Sequence, residues 1–120
     1  MKALCFYAHG GPDVLQYAEV PDPTLEPGQV LIDVKACALN HLDVWVRRGW
    51  PGLKLELPHI GGSDVAGVIA ALGEGVTGWQ VGERVVVDPG IVVGEDEFTR
   101  RGEHSLSIGM NYLILGEQIR

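Results

Sequence analysis

"PHIGGSDVAGVIAALGEGV", residues 58–76, sets one polar pair, Ser63-Asp64, among glycines and small apolar residues. Polar side chains held between glycines and followed by a strand read as part of a site. The pair offers no strong set of metal ligands, no nucleophile beside its base, and no loop that cradles phosphate. The run after it, residues 65–72, reads as a strand that closes on GEGVTGWQVG, a glycine-rich connection to a further strand, ERVVVD, at 83–88.

Upstream the same punctuation repeats. Residues 1–8 (MKALCFYA) and 14–20 (VLQYAEV) read as strands on either side of a turn, HGGPD. Residues 21–29 (PDPTLEPGQ) hold three prolines and a glycine, which force an irregular path. Residues 29–39 form the strongest strand signal, with Val30, Ile32, Val34 and Ala36 alternating with Leu31, Asp33, Lys35 and Cys37. One helix interrupts the strands. In NHLDVWVRRG, Leu42, Trp45 and Val46 follow i, i+3, i+4 spacing, Asn40 is a good N-cap, Asp43 stands at the capping-box position and Gly49 suits the stop. A mainly β domain with a short helix over 41–48 is expected. Residues 89–107 lack periodicity and read as a loop. The apolar run 108–120 does not look like a domain ending, so a truncated domain is expected.

Acidic residues outnumber basic ones 16 to 9, for a net charge of −7, and the only basic pairs are Arg47-Arg48 and Arg100-Arg101. A nucleic-acid surface needs clustered Lys and Arg, so no nucleic-acid partner is expected. No apolar run is long enough to span a membrane and residues 1–8 lack a signal-peptide cleavage site, so a cytoplasmic location is expected. Cys5 and Cys37 sit in apolar runs without CxxC spacing and read as small core residues.

Gly62, Gly67 after four residues, Gly73 after five more and Val76 after two more make a spacing that resembles the N-terminal, GroES-like catalytic domain of the medium-chain dehydrogenase/reductase family. Its motif reads G-H-E-x-x-G; here histidine and glutamate have become Ser63 and Asp64. GWQVGERVVV at 78–87 is similar to the family's strand entry, NHLDVWVRRG to its helix, and LILGEQIR at 113–120 to a segment further on. The resemblance implies a partly open β-barrel over residues 1–120 and a two-domain enzyme whose Rossmann domain is absent from this chain. No G-x-G-x-x-G follows a strand here, so the resemblance implies that NAD(P)H is bound mainly elsewhere and that this chain alone is inactive.

In zinc-binding members, cysteine at the helix start and histidine of G-H-E hold the catalytic ion; the matching positions are Asn40 and Ser63. A neutral amide and a hydroxyl replace thiolate and imidazole poorly, so no metal site is expected, although Asp64, His41 and His59 carry possible ligand atoms. The family's structural zinc lobe, C-G-x-C-x-x-C and a fourth Cys, keeps its length and glycines, but its ligand positions read Val93, Asp96, Thr99 and Ser107. No four-cysteine cage forms from these.

Asn40, Asp43, Trp45, Arg47 and Gly49 together resemble the N-x-x-D-x-[aromatic]-x-R-x-G of zinc-free quinone reductases. The resemblance implies a pocket wall of Asn40, Asp43, Trp45, Ser63 and Asp64, with His41 where alcohol dehydrogenases often contact a pyrophosphate. It implies hydride transfer to a quinone or enone by a homo-oligomer. Leu42 replaces the hydroxyl that begins the alcohol proton relay, against an alcohol or aldehyde substrate. The alternatives are a zinc-type alcohol dehydrogenase domain with substituted ligands and a stand-alone GroES-like interaction module. Plainer roles stand beside these: Asn40 and Asp43 as helix caps, Trp45 as core, and Ser63 bonded to a neighbouring turn. Asp64 is expected to have a basic partner in Arg47 or Arg84; His59 and His104 are expected to be exposed, and His9 to be a turn residue.

Overall fold

The structure is a computed structural model that describes residues 1–92, 94–107 and 110–112. The strands and helices run β1 (Lys2–Phe6), β2 (Leu15–Glu19), β3 (Val30–Ala38), α1 (His41–Arg48), β4 (His59–Ile60), β5 (Asp64–Leu72), β6 (Arg84–Val86), β7 (Gly90–Val92), α2 (Glu97–Arg100) and β8 (Met110–Tyr112). Among the described residues the strands pair antiparallel in three sheets, ordered β2-β1-β4, β3-β5-β6 and β7-β8. The domain is mainly β with open sheets, as expected. No helix among the described residues is long and apolar enough to cross a membrane.

Each strand that periodicity indicates is present, and α1 begins and ends at the expected caps, Asn40 and Gly49. The loop expected over 89–107 is instead structured: it holds β7, the single turn α2 and a 3-10 turn at His104–Leu106. Elements of three or four residues hold little more than one repeat of a hydrophobic pattern, too few to establish a period. β4, two residues long, was hidden for the same reason. Residues 113–120, with the last segment of the family resemblance, lie outside the described residues.

β5 organises the centre. Val65 and Ile69 are buried on alternate positions, with Gly67 between them. Gly67 pairs with Val34 of β3, and a Cβ there would lie 2.5 Å from the Asp33 carbonyl oxygen and 2.6 Å from Ile32 Cγ2. Only glycine permits that approach. Register shifts at Leu31/Ile32 and Val34/Ala36 break the simple alternation of β3. β1 contributes Cys5 and Phe6 to the buried set, and α1 contributes Val46.

Two side chains depart from expectation. His59 is 2% exposed, not a surface loop residue, because β4 pairs it with Phe6 and sets the rings 5.2 Å apart. Cys37 is exposed, not core. Among the described residues β3 is an edge strand, paired with β5 alone, and its residues from Asp33 onward are exposed. Cys5 is buried, and His104 is exposed.

Candidate functional site

The site is built where the start of α1 meets the start of β5. Asn40 has extended backbone, as an N-cap requires, and its N–H donates to Asp43 Oδ2 at 2.6 Å. The other carboxylate oxygen, Oδ1, accepts from the Gly62 N–H at 2.7 Å. Gly62 has φ +96°, a conformation that side chains rarely adopt, so its N–H is turned toward the helix by a backbone only glycine enters cheaply. One half-buried carboxylate thus joins a helix start to a strand start, 19 residues apart in sequence.

Asp64, the first residue of β5, accepts a hydrogen bond from Asn40 Nδ2 at 2.9 Å. The basic partner expected from Arg47 or Arg84 is not the one found. Arg47 is buried and donates through Nη1 to the Gly10 carbonyl, and Arg84 is exposed on β6. Asp64 is half-buried, so solvent still reaches it and a neutral amide suffices. Ser63, between Gly62 and Asp64, is buried.

Trp45 is 54% exposed, which sets aside the core role, and the His41 ring meets it edge-on with centroids 5.1 Å apart. His41 is itself exposed at the first residue of α1. Asn40, Asp43, Ser63 and Asp64 therefore lie together, with Trp45 and His41 exposed beside them on the same helix.

The far end of α1 is held by a contact that the sequence hides. The Gly10 N–H donates to the Arg47 carbonyl at 3.0 Å while Arg47 Nη1 donates back to the Gly10 carbonyl. His9 Nδ1 lies 3.0 Å from the Val46 carbonyl oxygen and 3.3 Å from that of Arg47; protonated there, it serves two of the orphan acceptors of the helix end. His9 is a bend residue as expected, but its partners are 37 and 38 residues away. No local signal marks that pairing.

The donor set bears on metal binding. The Asn40 amide nitrogen, a donor and not a metal ligand, gives one of its two N–H groups to Asp64, and a hydroxyl stands at Ser63. Among the described residues no three His, Cys, Asp or Glu side chains converge. These groups suit contact with a flat, polar organic molecule: the second amide N–H of Asn40, an indole face, and an imidazole.

Residues 26–117 match the family model described as the alcohol dehydrogenase GroES-like domain. Over 107 residues the chain is 37% identical to a quinone oxidoreductase of Lama guanicoe, a match covering 88% of this chain and 32% of that protein. A crystal structure of an NAD-dependent alcohol dehydrogenase superposes with TM-score 0.84 at 46% identity, covering 98% of this chain and 34% of that one. The Escherichia coli quinone oxidoreductase complexed with NADPH superposes with TM-score 0.65 at 31% identity, covering 72% and 26%. The chain spans about a third of the length of the curated relatives it matches.

Proposed function

The chain belongs to the medium-chain dehydrogenase/reductase family through its GroES-like domain, and from that premise we propose that residues 1–120 form the N-terminal, substrate-side part of an NAD(P)H-dependent quinone or enone reductase that works without zinc. The observation that carries the reading is the hydrogen bond from Asn40 to Asp64. It commits the amide at the position where zinc members place a thiolate, and leaves hydrogen-bonding groups in place of metal ligands.

NAD(P)H, when bound, supplies the hydride. The residues of this chain bind and orient. The exposed Trp45 indole offers a face to a conjugated ring. Asp64 holds the Asn40 amide in one orientation and takes one of its two N–H donors, leaving the second for a ligand oxygen. As a quinone or enone carbonyl gains negative charge, neutral donors stabilise it; the second N–H of Asn40 Nδ2, the Trp45 indole N–H and the His41 ring are the exposed side-chain donors of this wall. His41 sits at the N-terminus of an eight-residue helix, where backbone N–H groups favour an anion such as a pyrophosphate.

A second reading, an alcohol dehydrogenase, draws support from the 46% identity to the NAD-dependent alcohol dehydrogenase. One experiment separates the two. The natural full-length protein is purified without chelator, its zinc content is measured, and it is assayed with NADPH and a quinone, and with NAD⁺ and a primary alcohol. Quinone-dependent NADPH oxidation that survives EDTA, with zinc far below one per chain, is the expected outcome. About one zinc per chain with chelator-sensitive alcohol oxidation establishes the second reading instead. The 120-residue chain alone is expected to turn over neither pair.

A further inference from the structure

We propose that Asp96, Thr99 and Ser107 form a hydrogen-bonded clip that closes the lobe over residues 94–107 by itself, so that the lobe's order does not depend on a divalent metal. The lobe needs a closure. α2 is a single turn of four residues, far below the length at which a helix holds in water unaided.

The closure is concentrated on Asp96. Its Oδ1 accepts from the Phe98 N–H at 3.0 Å and from the Thr99 N–H at 2.9 Å, serving two of the orphan donors of the turn. Its own N–H donates to Thr99 Oγ1 at 2.8 Å, and that hydroxyl donates back to the Asp96 carbonyl at 2.9 Å. Its second oxygen, Oδ2, accepts from Ser107 Oγ at 2.8 Å, eleven residues on, and Ser107 is buried. The three bonds that the carboxylate accepts are each stronger than their neutral counterparts. Backbone bonds follow the same path, from the Glu103 N–H to the Phe98 carbonyl at 2.9 Å and from the Ser107 N–H to the His104 carbonyl at 3.1 Å.

The same three positions match thiolate ligands in the resembled zinc lobe, and their side chains do not fit that ion. Two are hydroxyls, which bind zinc weakly, and the carboxylate oxygens already accept three hydrogen bonds. The fourth position, Val93, lies outside the described residues, and valine has no donor atom. Where four thiolates would draw the lobe around an ion, one carboxylate draws it around itself.

Amide hydrogen exchange on the 120-residue chain tests this, read by mass spectrometry over the lobe and over β3 and β5. Ser107→Ala is expected to speed exchange at Phe98, Thr99 and Glu103 by about tenfold, the scale of one charge-assisted hydrogen bond lost from a local opening equilibrium, with β3 and β5 unchanged. Asp96→Ala is expected to speed it further. In the unmodified chain, EDTA and added zinc are expected to leave lobe exchange where it was. Faster exchange in EDTA that zinc reverses overturns the proposal, and so does a Ser107→Ala lobe that exchanges at the original rate. The chelator arm needs no variant, so poor folding of Asp96→Ala leaves the test intact.

Discussion

Asp43 shows how much one side chain does near the site. Its two oxygens serve the Asn40 N–H at 2.6 Å and the Gly62 N–H at 2.7 Å, so truncation leaves two backbone donors without their acceptor. Hydrogen bonds to a charged group contribute about 1.5–3 kcal/mol each, with partial replacement by water at a half-buried position. Asp43→Ala is therefore expected to lower stability by about 2–4 kcal/mol, read as a lower urea midpoint at unchanged slope. Asn at this position keeps one acceptor oxygen and is expected to fall between the two. Half of this role was legible from the sequence, since the capping-box spacing placed the Asp43 carboxylate at the helix start. The bond to Gly62 was not legible, because it joins residues 19 apart through a turn whose shape only the folded backbone sets. Asp64 taught the converse: its apolar neighbours in sequence pointed to a basic partner, but the residue is only half-buried and the neutral amide of Asn40 serves it.

At the scale of elements, β3 and β5 carry the domain, and Gly67 governs how closely they approach. A methyl group there meets the Asp33 carbonyl and the Ile32 side chain at under 3 Å, and both belong to the strand it pairs with. Gly67→Ala is expected to force the ladder apart at a cost of about 1–3 kcal/mol, the range of core overpacking, seen as a lower thermal midpoint and faster amide exchange across β3 and β5. The long elements were readable because each spans several repeats of its pattern: nine residues in β5, eight in α1 with a cap at either end. Of the short ones, β6 was readable through its apolar run ERVVVD and the others were not. β4, β7 and α2 are defined by what they pair with or what caps them, and those partners are distant or irregular in sequence. In α2 the signal was present after all, as Asp96 three residues before Thr99, but it lacked the apolar run that normally follows an N-cap.

For the whole molecule, β6 is the outer strand of its sheet, three residues long, and Val86 on it is 81% exposed. Among the described residues no strand pairs with the outer side of β6, and an open strand edge invites pairing with a second copy. Sedimentation velocity of the 120-residue chain is expected to show concentration-dependent self-association, and Val86→Lys is expected to suppress it; a concentration-independent monomer counts against this edge. The site adds a different property at this scale. Because one carboxylate answers to both the helix and the turn before β5, the start of α1 and that turn are tied into one piece. The reciprocal grip of Gly10 and Arg47 pins the other end of the same helix. On the proposed function, a ligand meets a wall braced at both ends of its helix, and the freedom to close around it is left to parts of the enzyme outside α1 and the turn before β5.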